Sequence, residues 1–221
     1  MGNRQQKQQL FRFMASGMVT LFLILIIVFT FRTVLASFHY WLWGIPVILV
    51  CLLDIYFLTR SLLQRPTSID TRLSTLLFSL GATFGFSLVA ILIAPPSIAL
   101  PYLHEIQQAG NLLAILPYPF ACWALLCLGD CLTVVPEAHK VVAHGIYRYS
   151  RHPLYACYII WAVADSMMLP SIPMFMASIM QIIFLVLRFH REEQLLLATF
   201  PEYRPYYETT GLWGFAVEHR Q

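Results

Sequence analysis

Charge is what this sequence has least of: Asp, Glu, Lys and Arg make up 11% of its 221 residues, while 59% are hydrophobic. Soluble domains carry roughly a quarter charged residues. With a mean hydropathy of +0.69, a water-soluble enzyme or binding module is excluded and an integral membrane protein is expected. Cysteine is sparse as well, at Cys51, Cys122, Cys127, Cys131 and Cys157. None of these pairs has CxxC spacing and their number is odd, so neither a zinc site nor a disulfide framework is expected, only small core residues. The basic N-terminal stretch MGNRQQKQQLFRF is followed by an apolar run without a small-residue cleavage site, so it reads as a retained first helix. Gln6 stands where a myristoylation signal carries Ser or Thr. Repeats and low-complexity stretches are missing. The net charge of +3 is small, and its basic residues are clustered in a way that suits membrane orientation and not nucleic-acid binding.

What the chain does have is apolar runs. A span takes about 20 such residues, which leaves room for about five or six helices and little soluble domain. The expected fold is all-α, a polytopic helical membrane protein. Met14 to Ser37 is the first span, with Arg32 near its far end placed to snorkel outward. Trp41 to Leu58 is the second; Tyr40, Trp41 and Trp43 form an interfacial belt, Pro46 supplies a kink and Asp54 lies near the inner end. Leu73 to Ala94 is the third, with Gly81, Ala82, Gly85 and Ser87 allowing close helix packing. Asn111 to Val135 is the fourth, broken near Pro117 and Pro119. Residues 156–169 and 174–187 are short runs around PSIP, read as a tight helical hairpin with Asp165 near its tip.

The connections set the orientation. Arg60 to Arg72 is polar and carries three arginines, whereas Pro95 to Gly110 has three prolines and no Lys or Arg. All Lys and Arg except Arg32 fall on the side of the first connection. Both termini and the two polar islands, HKVVAHGIYRYSRHPLY at 139–155 and RFHREEQLLLATFPEYRPY at 188–206, are therefore expected to be cytoplasmic. The hairpin would bring the islands together at one membrane face.

Spacing i, i+4 places Arg188 and Glu192 on one helix face, continued toward the membrane by Leu185 and Gln181, with Glu193 and Arg191 pointing elsewhere. In isolation that is a salt bridge worth a few tenths of a kcal/mol. Gly145 permits a turn and Pro153 can start a helix, so Arg151 and His152 sit at a helix N-terminus that attracts anionic groups. Lys140, Arg148 and Arg151 are individually explained by positive-inside bias and headgroup contact; the His-Pro-x-Tyr cluster is not. A ligand with both a carboxylate and a cationic centre suits such a mixture of Arg, His, Glu and Tyr.

Three motifs, G-x-Y-x-x-x-R-H-P-x-Y from Gly145, R-x-x-x-E-E-x-x-L from Arg188 and F-x-E-Y-x-x-Y from Phe200, together resemble the isoprenylcysteine carboxyl methyltransferase and phospholipid methyltransferase superfamily over residues 139–207. That resemblance implies a membrane enzyme using S-adenosylmethionine, with no metal and no covalent enzyme intermediate. It implies cofactor contacts from His139, Lys140, Val141, Val142, Tyr147, His152, Pro153, Leu154, Tyr155 and Glu192. Arg188 matches an arginine near the reacting carboxylate, so Arg188 and Glu192 are the implied catalytic pair and Arg188 the substrate contact. Eukaryotic members carry a glutamine seven positions before His139, where this chain has Leu132. Residues 1–135 would form a chamber for a lipophilic methyl acceptor and 136–221 the catalytic region, with a cytoplasmic cofactor pocket.

The function expected is carboxyl O-methylation of an isoprenylcysteine-type substrate, in a bacterial inner membrane or an endoplasmic-reticulum-type membrane, without an obligate protein partner. Alternatives are N-methylation of an aminophospholipid, with His144, His190 or Glu193 as base, and a nicotinamide-dependent reductase of the sterol-reductase fold. A different class is a scaffold that binds anionic headgroups without catalysis.

Overall fold

The computed structural model describes residues 2–36, 41–93 and 102–212. The side chains of Tyr40, Trp41 and Trp43, and the connection at 94–101, lie outside the described residues. Among the described residues eight α-helices follow in chain order: α1 Gly2–Ala36, α2 Trp41–Leu63, α3 Leu73–Ile93, α4 Leu103–Ile115, α5 Pro117–Leu128, α6 Pro153–Met168, α7 Ile172–Thr199 and α8 Tyr203–Thr209. Among the described residues, α1, α2, the α4–α5 unit and α7 are long and apolar enough to span a membrane, and α3 and α6 are shorter apolar helices. The protein is an all-α polytopic membrane protein. Large apolar side chains such as Leu21, Phe29, Leu52, Leu126 and Phe175 are exposed, as lipid-facing surfaces require.

Packing pairs α1 with α2, α3 with α7, α4 with α6, and α5 with both α2 and α6. Small residues make the closest approaches. A side chain at Gly81 would run into the Phe184 ring of α7, and one at Gly110 would meet Ala164, Met167 and Met168 of α6. Gly85 has open space around it, so the GxxxG pair serves internal packing through Gly81 alone.

Some boundaries differ from those expected. The helix after the proline-rich connection begins at Leu103, eight residues before Asn111, because His104–Gly110 continues a helical face that packs on α6. Pro117 falls at the first position of α5, so it starts a helix that continues the line of α4. The hairpin is present, but its second arm is not short: α7 has 28 residues, about 42 Å of helix, because the polar stretch from Arg188 to Thr199 stays helical. The polar connection after α2 is not merely a loop. Its Ser68–Ile69 (β1) pairs antiparallel with Glu137–Ala138 (β2), immediately before His139.

Candidate active site

Two cavities meet inside this bundle. The larger, about 650 Å³, runs among helices α1 to α7 and is walled mainly by apolar side chains such as Phe22, Leu23, Ile26, Val47, Leu58 and Leu185; Asp54, Asp165, Gln181 and Arg188 are among its polar exceptions, with Thr83, Asn111 and Thr133. The smaller, about 50 Å³, lies at the α6–α7 end of the polar islands and is lined by Cys131, Tyr147, Arg151, His152, Leu154, Tyr155 and Glu192 among others. Leu132, Thr133, Tyr158 and Arg188 line both. Arg188 is thus in the partition between an apolar chamber and a polar pocket.

Several polar groups of the partition and pocket are tied to specific partners. Arg188 Nη2 donates to the Thr133 carbonyl at 2.6 Å, and its guanidinium carbon lies 5.6 Å from the centre of the Tyr155 ring. Its buried Nε has no hydrogen-bond partner. Tyr155 donates to Glu192 Oε2 at 2.6 Å, so Glu192 is held by a phenol from α6 and not by Arg188 of its own helix. The face Gln181, Leu185, Arg188 does continue toward the membrane, and all three line the chamber.

Behind the pocket is a buried ionic cluster. Glu193 Oε1 lies 2.9 Å from Arg151 Nε and 3.0 Å from His152 Nε2, and each of these side chains is at most 7% exposed. Sequence reasoning turned Glu193 away from the site; the structure buries it. The readable signal was the stripe Leu185, Phe189, Glu193, spaced i, i+4, i+8, whose first two members are core residues. His152 packs against Phe189 and Tyr155, and Arg151 lies 4.1 Å over the Tyr207 ring while donating to the Tyr207 and Thr210 carbonyls. The C-terminal segment therefore folds back on the first island. Tyr206 adds a hydroxyl that donates to the Tyr147 carbonyl at 2.6 Å.

Burial, with neighbouring Glu192 adding to it, pushes the Tyr147 phenol well above its ordinary range. Burial likewise raises Tyr206 to about 12. Both phenols stay protonated near neutral pH, and the Tyr206 hydroxyl acts as a donor.

The remaining predicted residues do not line the pocket. Pro153 opens α6. Val142 packs in the core, Lys140 is exposed beside Cys131, and Val141 is half-buried between them in sequence. The His139 ring faces Glu137, at 3.0 Å, and Glu137 in turn receives Arg12 at 2.7 Å. Arg12, buried on α1, also donates to the carbonyls of Ser61 and Gln64, so one guanidinium joins α1, the end of α2 and β2. No sequence signal within α1 pointed to that role. Among the described residues, no group of His, Cys, Asp and Glu could hold a metal ion.

This arrangement of Arg188, Glu192 and the His152–Tyr155 turn falls within a known family region. Residues 111–198 match the model of the isoprenylcysteine carboxyl methyltransferase (ICMT) family. The resemblance carried by the motifs is thereby shown. Two rice proteins, each named "Probable protein-S-isoprenylcysteine O-methyltransferase", from Oryza sativa subsp. indica and subsp. japonica, are 48% identical to this chain over 33 residues. The aligned stretch spans 15% of this chain and 17% of either rice protein. Within the ICMT region lie α5, α6, nearly all of α7 and the partition between the cavities; α1 to α3 lie outside it.

Proposed function

We propose that the protein is an integral membrane methyltransferase that uses S-adenosylmethionine and acts on a lipid-like acid, by carboxyl O-methylation of an isoprenylcysteine-type acceptor. The observation that carries this reading is the partition: a polar pocket and an apolar chamber of about 650 Å³ share Arg188. A chamber of that size falls in the usual range for ligand cavities, and its walls suit a hydrocarbon tail.

The residues around the polar pocket fit the cofactor's chemistry. Glu192 offers a carboxylate and Tyr147, Tyr155 and Tyr158 offer aromatic faces, the groups that hold cations. His152, Leu154 and the 139–142 segment flank them, with Pro153 fixing the turn. At about 50 Å³ the pocket takes one or two waters, so seating a nucleoside requires these side chains to draw apart. Bound there, the cofactor would supply a sulfonium methyl group.

The protein's part is then positional. Arg188, fixed by Thr133 and Tyr155, presents an unfilled Nε–H to the acceptor carboxylate, and Glu192 balances positive charge on the other side of the partition. A carboxylate nucleophile is already deprotonated near neutral pH, so methylation of its oxygen calls for no general base. Alignment and electrostatics supply the rate. The clustering of Lys and Arg supports a cytoplasmic site, where a water-soluble cofactor is available.

Glu192→Gln and His152→Ala are each expected to lower S-adenosylmethionine affinity more than tenfold in detergent calorimetry, on the order of a lost charge-assisted hydrogen bond. Arg188→Ala should depress kcat with a labelled prenylcysteine acceptor more than it depresses cofactor affinity. A headgroup-binding scaffold predicts no cofactor binding by the wild type, and that result would remove the enzyme reading.

A further inference from the structure

The chamber contains a carboxylate that the reaction does not use. Asp54 lies on α2 within the span Gly44–Leu63, and with Val47 and Leu58 it lines the cavity. It is 9% exposed, and its buried Oδ1 has no hydrogen-bond partner. It forms no ion pair among the described residues. Most of its neighbours in the cavity wall are aliphatic or aromatic. An ionisable group inside a membrane span is costly, and it marks a ligand path or a missing partner.

The other polar groups of the chamber narrow down what that partner is. Among the described residues of the wall, Arg188 is the only Lys or Arg, and both Arg188 and Asp54 are close enough to act electrostatically on Tyr158. Arg188 has an unfilled donor, whereas Asp54 and Gln181 each have an unfilled acceptor, and of these two Asp54 is the one that can carry charge. A ligand that satisfies both carries a carboxylate for Arg188 and an N–H for Asp54. An α-amino acid or its amide has that arrangement; a fatty acid has only the carboxylate, and a simple amine would leave Arg188 unmatched and like-charged.

We propose that Asp54 is a specificity residue for the acceptor, receiving a hydrogen bond from a nitrogen carried beside the carboxylate that Arg188 holds. The inference rests on the reading that the chamber takes the methyl acceptor. Asp54 makes no bond and breaks none; it fixes the headgroup so that the carboxylate faces the partition while the tail follows Phe22, Leu23 and Ile26.

The test is equilibrium binding to the purified full chain, without cofactor, of two radiolabelled probes that differ at the nitrogen: N-acetyl-S-farnesylcysteine and S-farnesyl-3-thiopropionate. The wild type should bind the first more tightly by on the order of tenfold, as for a hydrogen bond to a charged group. Asp54→Ala should erase the difference and leave binding of the thiopropionate unchanged; Asp54→Asn, which keeps an acceptor oxygen, should retain part of it. Equal binding of the two probes by the wild type, or a preference that survives in Asp54→Ala, would overturn the role of Asp54 while leaving the acceptor chamber standing. If neither probe binds the wild type, the chamber reading itself falls and the inference falls with it. If Asp54→Ala fails to fold, Asp54→Asn carries the comparison, and a preference undiminished in that variant overturns the role of Asp54.

Discussion

Glu192 and Glu193 are neighbours in sequence with opposite duties. One residue of helix turns a side chain by roughly 100°, which is enough to put Glu192 in the pocket wall with Tyr155 and Glu193 behind it with Arg151 and His152. Removing Glu193 would leave a guanidinium buried without its charge partner. Glu193→Ala is therefore expected to cost about 3–5 kcal/mol, read as a fall in detergent melting temperature, whereas Glu192→Gln should leave the melt nearly unchanged. The pair also shows what a sequence can reveal at this scale. Arg188, Glu192, His152 and Tyr155 were legible because their motifs fix residue types at fixed spacing. Arg188 was expected to meet Glu192 one turn away, yet it turns to Thr133, 55 positions back, and Glu193 finds His152 41 positions back. Arg12 and Glu137 are 125 positions apart. Local periodicity carries no information about partners at such separations.

Among the elements, the turn before α6 is the one whose geometry is least replaceable. Gly145 has φ +61°, and a Cβ there would be driven into the Cys127 side chain of α5. Gly145→Ala combines left-handed strain with a clash, a loss of about 1–3 kcal/mol in a thermal melt. Adding Cys127→Ala should recover the part due to crowding and leave the part due to φ. The need for glycine here was readable from the sequence, but the crowding was not, since it depends on how α5 lies against the turn. Apolar runs likewise located the helices to within a few residues where lipid-facing composition defined them. They failed where helix continued into polar sequence, as at Leu103–Gly110 and beyond Arg188, because helix propensity there is sustained by packing and not by hydropathy. The β1–β2 ladder left no periodic trace, being two residues on each side.

At the scale of the whole molecule, the pinning of α1 to β2 through Arg12 makes the N-terminal spans part of the site's frame. The chamber draws Val19, Phe22, Leu23 and Ile26 from α1, outside the ICMT-matching region, while the pocket draws on the islands within or beside it. The family-matching region thus lines the whole of the pocket around the proposed cofactor, whereas the chamber for the proposed acceptor is shared between that region and the spans that do not match. This is why the motifs bear on the proposed methyl donor more than on the proposed acceptor.

The shared wall of Leu132, Thr133, Tyr158 and Arg188 has one more consequence, which concerns how the reactants are counted. On the proposed reading, one side of that wall is supplied from water and the other from lipid, so the two reactants would not draw on the same volume. The acceptor's effective concentration is its mole fraction in the bilayer, not its molarity in the tube. In mixed micelles, adding inert detergent at constant total acceptor should slow turnover in proportion to surface dilution, with the apparent KM for S-adenosylmethionine unmoved. A membrane that doubles its content of acceptor would then double the unsaturated rate without any change in the composition of the surrounding water.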